Sequence, residues 1–548
     1  MCKRSCFVLF VYIIASYCGV QANATVVIGN PDAPVGGVER LAIESEPATL
    51  NPLKGQDGYA HMVESACFDG LLDRNIETFD WEPAVAEKWE VAKDGKSITF
   101  TLRKGVKFHD GTPLTVEDVK FSFEVYFNPE LSDAIMRAYY ENIEKAEILG
   151  PDKIKFIIKK PYFKNLDVLG GLTILPKAHY GDKNKKMTKT MVGSGAYKFE
   201  KYDQGKSITL VRNPDWWGFN LPEYKGYNKV EKIVYEFIKD ENARLESFKK
   251  GDLDYIDLTA DQFEKKTDGP MWGTTVFKKQ VENSAPKRIG FVGFNLKNRI
   301  FKDRDVRLAM VKLFDRRSMI KKFMYDKWVL AAGPWYPQSP SADHDLKPIE
   351  FDPASARELL KKAGWADHDK DGVLDKTIDG KKVEFQFTTI LPSGSPNEKY
   401  MTVYQEELKK SGIKMEIKTV DWNTFQKVMD DRNFDAVVLA WGGVVEMDPY
   451  QIWHSKSDVK GGSNFIGYSN PEVDKLIELI RHEMDRNKRE ALQRKVYRLI
   501  AEDYPYVFMW SPKYEFLAYS ARMKMVKPTY KYGVGAGTWW IEDKKAAQ

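Results

Sequence analysis

Residues 97–103, SITFTLR, alternate apolar and polar positions, the pattern of a half-buried strand. Asp94-Gly95, just before them, is a hairpin signal. Near the start of the chain Val38, Arg40, Ala42 and Glu44 point one way and Glu39, Leu41 and Ile43 the other. That spacing predicts a short strand ending at Glu44-Ser45-Glu46-Pro47. Thr115 with Asp118 three residues on resembles a capping box, so a helix is predicted from about Val119 onward. Strands are predicted at YKFEKY, ITLVRNPDWW and KIVYEFIKD, and a helix, a Gly-Asp turn and a strand at ENARLESFKKGDLDYIDL. RIGFVGFNLKN reads as a strand leading into a helix with Val306, Ala309, Met310, Leu313 and Phe314 at helical spacing. ASARELLKKAG reads as a helix closed by Gly364. VEFQFTTI, IKMEIKTV and FDAVVLAW read as strands, with a helix, KYMTVYQEELKKSG, between the first two. This alternation predicts an α/β fold of mixed sheets covered by helices. Fixed-period repeats and low-complexity linkers are missing, so the lobes should be joined by several chain crossings.

The first 24 residues depart from this pattern. Lys3 and Arg4 precede the apolar run FVLFVYIIASYC, and Ala22-Asn23-Ala24 has the small-x-small form of a cleavage site. These residues read as a secretory leader. The run is too short to span a bilayer comfortably, and no later stretch is long enough. Export of a soluble mature chain is the expectation. Lipid anchoring would fall on Cys18, but bulky Tyr17 stands where a small residue is wanted. The other leader cysteines are Cys2 and Cys6, so the mature chain keeps only Cys67, which can form neither an internal disulfide nor a thiolate zinc cluster. It reads as a buried small hydrophobe.

At 548 residues the chain has room for about three lobes. Its 43% hydrophobic and 30% charged residues suit a globular protein. Removing the leader takes the formal charge from +5 to +3, which gives no reason to expect nucleic acid as a partner.

Two stretches could carry chemistry. His109-Asp110 could be an acid-base pair, but it precedes Gly111 in a turn signal, and neither a nucleophile nor an orienting third group is near. The turn is the preferred reading. Asp367, Asp369, Asp371 and Gly372 match the start of an EF-hand loop, with Asp375 at its ninth position. The twelfth position is Ile378 rather than Glu, and a strand follows instead of a helix. A regulatory EF-hand is therefore not expected, and a Ca²⁺ bound by these four acids is a weak candidate beside a solvated acidic turn. His61, His109, His179, His344, His368, His454 and His482 are scattered, and the chain carries no HExxH, GxSxG or phosphate-loop motif. Trp216-Trp217, Trp365 and Trp539-Trp540 could be ligand platforms, but tryptophans more often anchor packing.

Several segments together resemble the dipeptide- and oligopeptide-binding proteins of bacterial ABC importers, solute-binding family 5. They are GVERLAIESEPATLNPL, PAVAEKWEV, DGKSITFTLRKGVKFHDGTPLTVEDVKFSFE, ILPK, VGSGAYKF, LVRNPDWW, KKGDLDYID, FNLKNRIFKDRDVRLAM, AGWADHDKDGVLD, and WHS followed by GGSNFIGYSNPEVDKLIE. They occur in the family's order over nearly the whole mature chain. The resemblance implies a periplasmic-binding-protein-like two-lobed clamp of type II (cluster C) with an extra inserted domain. A discontinuous first domain would occupy 25–58, 190–288 and 512–548, the insertion 59–189, and the second lobe 289–511.

It also implies capture of peptides, delivery to permease subunits of an ABC importer, a periplasmic location, a monomer, no cofactor and no catalysis. Peptides would bind by adding a strand, with backbone hydrogen bonds giving affinity independent of side chains. One wall would be Glu44, Ser45 and Glu46; the other would be the strand through Ala440 and Trp441 and its Gly442-Gly443 turn. Peptide binders in the family usually carry an Asp shortly after that Trp, to pair with the ligand's α-ammonium. Here Val444 and Val445 stand near that place, with Glu446 and Asp448 beyond. Either Glu446 takes over the pairing or the ligand has no free amine there. The alternatives are the same transport role for an oligosaccharide, opine or metal complex, or an exported hydrolase using a carboxylate pair.

Overall fold

In a computed structural model the chain is described over residues 27–54, 58–132, 137 and 140–542. Residues 1–24, read above as a leader, lie outside the described residues. Three sheets carry the architecture. The largest has seven strands, ordered Val276–Val281, Glu515–Ser520, Tyr255–Asp257, Val38–Ile43, Lys232–Phe237, Ser207–Arg212 and Tyr197–Asp203. A second has five, ordered Lys414–Val420, Gln386–Pro392, Ala436–Trp441, Ile289–Phe294 and Tyr506–Phe508. A four-stranded antiparallel sheet spans Ala86–Val91, Ser97–Leu102, Lys153–Ile158 and Ile143–Gly150.

The periodic segments form the elements their patterns dictate. Ser97–Leu102 buries Ile98, Phe100 and Leu102 and leaves the residues between half-exposed. Gly95 turns the hairpin with φ +67. Thr115 caps the helix Val116–Glu124, its N–H and hydroxyl both donating to Asp118. The helix Pro353–Lys362 ends before Gly364 at φ +84, where Trp365 N–H returns to the Leu360 carbonyl. The strand Val38–Ile43 carries a surprise, because Glu39 is buried alongside Ile43. Burial, with Asp254 nearby, pushes the Glu39 carboxyl up to about 8.

His109 lies in the turn that the sequence suggested, and its ring is fully engaged. Nδ1 accepts from the Gly193 N–H at 3.2 Å, and Nε2 lies 3.0 Å from the Gly195 carbonyl. That pattern selects the Nε2–H tautomer of a neutral ring, and burial pushes its pKa down to about 4. The ring staples the turn to residues 193–195, and the neighbouring Asp110 pairs with His179 at 2.8 Å.

The five-stranded sheet is packed on both faces, with Val292, Phe294 and Met310 in one core and Ile289, Phe291 and Trp453 in the other. Two chain segments join this sheet to the seven-stranded one, between Val281 and Ile289 and between Pro512 and Glu515. Lys287 ties them together. Its ammonium, 4% exposed, pairs with Glu515 and donates to Asn283 at 2.6 Å. Asn283 in turn donates to Thr529 at 2.9 Å. A buried lysine bridging two crossings fixes the geometry of the junction only because each of its partners is present.

Candidate functional site

The strand Ala436–Trp441 runs parallel to Gln386–Pro392 and antiparallel to Ile289–Phe294. Its register with Ile289–Phe294 continues to Trp441, but that with Gln386–Pro392 stops at Val437. One side of Leu439–Trp441 therefore has no ladder partner among the described residues, which leaves backbone groups open to an added strand. Ala440 and Gly442 are exposed. Trp441 stacks on Phe291 and Phe465 and points its indole N–H at the Tyr506 hydroxyl, 3.4 Å away. A Cβ on Gly442 would meet open space, whereas one on Gly443 would lie 2.4 Å from the Lys287 carbonyl oxygen. Gly443 is therefore fixed by close backbone approach and Gly442 is not. Among the described residues no hydrogen bond uses the backbone N–H of Gly443, Val444, Val445 or Glu446.

On the seven-stranded sheet Val38–Ile43 runs parallel to both neighbours and delivers Glu44, Ser45 and Glu46 at its C-terminal end. Glu44 and Ser45 are exposed. Glu44 pairs with Arg244 at 2.9 Å and accepts from the Tyr59 hydroxyl at 3.0 Å. Glu46 accepts from the Tyr202 hydroxyl at 2.7 Å. Ser45 reaches only the Glu46 carbonyl, at 3.5 Å. The backbone N–H groups of Ser45 and Glu46 make no hydrogen bond among the described residues.

A cavity of about 350 Å³ opens beside Gly443. Gly443 to Glu446 and Pro286 form one side; Arg74, Phe79, Trp81, Lys164 and Asp167 form the other. The structure thus brings Gly443 and Glu446 to one cavity, while Glu44, Ser45 and Glu46 do not line it. Arg74 lies on the hairpin Leu72–Arg74 and Trp81–Pro83, directly across from Trp81. Its guanidinium covers the Trp81 ring at 3.7 Å and the Phe79 ring at 4.4 Å. It also pairs with Asp167 and, at 3.6 Å, with Glu446. Glu446 pairs in addition with buried Arg489 at 3.2 Å. Burial and the nearby Asp167 raise the Glu446 carboxyl above its usual range, against the pull of Arg489 and Arg74.

Asp448 serves as a joint rather than a free acid. It accepts from the Tyr450 N–H at 3.0 Å and from the Tyr162 hydroxyl at 2.6 Å, and lies 3.2 Å from Arg481. Arg481 stacks over Tyr162 and Tyr450, its carbonyl accepts from the Phe163 N–H, and His482 meets the Pro161 carbonyl. Residues 161–167 are thereby clasped to the 446–489 region. Arg74, Tyr162, Asp167 and Arg481 carry no local signal in the sequence, because the pairings that join them to the site run between segments about 90 to 320 positions apart.

The acidic loop assembles in part. Carboxylate oxygens of Asp367, Asp369 and Asp371 come within 4.8 Å of one another at the surface. Asp375 turns inward instead, accepting from His368, and the Lys382 ammonium pairs with Asp369. The tryptophan pairs anchor packing: Trp216 and Trp217 both donate to half-buried Asp69, and Trp365 and Trp539 are core residues.

The family model described as bacterial extracellular solute-binding proteins, family 5 middle, matches residues 80–463. The chain is 30% identical to the oligopeptide-binding protein AppA of Bacillus subtilis (strain 168), over 85% of this chain and 84% of that one. The solved structure of AppA from Bacillus subtilis in complex with a nonapeptide superposes with a TM-score of 0.76 at 27% identity, covering 93% of this chain and all of that one. NikZ from Campylobacter jejuni in complex with Ni(L-His) gives 0.75 at 24% identity, covering 92% and 99%.

Proposed function

Because the chain belongs to the family 5 bacterial extracellular solute-binding proteins, we propose that it is an exported receptor that captures peptides between two lobes and delivers them to the permease of an ABC importer. The division into a discontinuous first domain (25–58, 190–288, 512–548), an insertion (59–189) and a second lobe (289–511) belongs to this reading. So does a leader ending at Ala24. Among the described residues no helix is long and apolar enough to cross a membrane.

The observation that carries the peptide reading is the unpaired side of Leu439–Trp441, followed by four unbonded N–H groups at Gly443–Glu446. An extended peptide laid there gains main-chain hydrogen bonds that do not depend on its sequence. Glu44, Ser45 and Glu46, with free backbone groups at the end of a parallel strand, form the facing wall, and ligands favour the carboxyl ends of such strands. Closure selects the liganded state, because the closed form holds ligand from both sides. The Tyr162–Asp448 and Arg74–Glu446 contacts join the insertion to the second lobe and belong to that closed form. The role is binding rather than catalysis, as in the family. A second reading keeps the transport role but replaces the peptide by a metal complex, since NikZ, of the same fold, is seen with Ni(L-His).

Isothermal titration of the ligand-stripped protein with a mixed peptide pool tests the proposal. Saturable heat with intact peptide recovered afterwards is expected. Cleaved peptide, or saturation by nickel–histidine complexes alone, would refute it.

A further inference from the structure

We infer that the cavity beside Gly443 is an uncharged subsite, one that takes an apolar group of the ligand and excludes a cationic one, whether a Lys or Arg side chain or a free amino end. The inference rests on the peptide reading above and specifies what that site selects.

The walls are apolar where they are free. Phe79, Trp81, Pro286, Val444 and Val445 line the cavity, and Val444 is 42% exposed at its mouth. About 350 Å³ holds one or two side chains, at the small end of ligand-site volumes. Each charged group at the rim already has its partner. Arg74 pairs with Asp167 and Glu446, Lys164 with Asp167 at 3.3 Å, and Glu446 with Arg489. Of the groups lining the cavity two cations face two carboxylates, and buried Arg489 stands behind Glu446. An incoming ammonium would find no carboxylate unpaired and would have to displace a guanidinium to reach Glu446. The aromatic route is closed too, because Arg74 already occupies the faces of Trp81 and Phe79 that could hold a cation. An apolar group meets none of these costs and gains by burial against Val444 and Val445.

Two pools of randomised nonapeptides, one with free and one with acetylated amino ends, test this. Ligand-stripped full-length mature protein is incubated with each, and captured peptides are sequenced by mass spectrometry. At one position, the terminus included, neutral apolar groups should outnumber cationic ones by about tenfold, the ratio expected when a desolvated charge lacks a partner. Val444→Asp should move that ratio by about tenfold toward the cation. Equal capture of cationic and apolar groups at every position, or an unchanged ratio in Val444→Asp, would overturn the inference while leaving the peptide reading intact. Capture of nothing from either pool by folded, stripped protein would instead remove the peptide reading, and this inference with it.

Discussion

At Gly443 one added carbon decides whether the turn forms. A Cβ there would stand 2.4 Å from the Lys287 carbonyl oxygen and 2.8 Å from its nitrogen, and Lys287 is itself held by Glu515 and Asn283. The backbone on both sides would have to move. Gly443→Ala should lower stability by about 1–3 kcal/mol, the usual cost of overpacking, with weaker ligand capture; Gly442→Ala should do neither. Paired thermal melts check the contrast. Three groups with shifted pKa values set a pH dependence. Glu39, pushed up to about 8, and Asp69, to about 7, are raised acids, so the folded state binds protons that the unfolded state has released. Their stabilising effect is fully present below the ordinary values of 3.8 and 4.5 and is lost progressively as pH rises from there through 7 to 8. His109 acts oppositely, because its pKa falls from 6.5 to about 4, and its contribution is lost as pH falls through that window. Between about pH 4.5 and 6.5 the two acids outweigh the histidine, so these three groups together should lower the melting temperature as pH rises from about 4.5 to 8. Glu39→Gln should raise it more at pH 8.5 than at pH 5.5; equal shifts at both would contradict the assignment.

At the scale of elements, the clasp between residues 161–167 and the 446–489 region should report closure. Tyr162→Phe and Asp448→Ala each remove one side of a 2.6 Å hydrogen bond. Each should weaken ligand binding several-fold, and the double mutant should be less than additive, with a coupling of about 0.5–3 kcal/mol. Additive losses in titration calorimetry would place the contact outside the closing step. The elements themselves are legible locally. Alternation at 97–102 and the cap at Thr115 each depend on neighbours within a few residues, and both form as read. The strand at FDAVVLAW is legible in the same way, but its end and glycine pair are marked as a ligand wall only by the family resemblance. The partners of Glu446 and Asp448 are not legible, because Arg74, Tyr162 and Arg489 are set beside them only by the packing of distant segments. Glu39 shows the limit within a single strand. Alternation placed it on one face with Leu41 and Ile43, but it could not say that this face is buried deeply enough to hold the carboxyl neutral.

At the scale of the molecule, under the proposed function, two sheets joined by two crossings, with residues 59–189 as an insertion reaching across to the second lobe, make a clamp whose open strand edge is its receptor surface. That account requires that the ligand be a peptide held by its backbone. Native mass spectrometry of the exported mature chain, before and after mild unfolding and refolding, tests this most directly. The account predicts a heterogeneous set of co-purified peptides of related length that disappears on refolding, because backbone pairing tolerates many sequences. A single non-peptide mass in their place would contradict it.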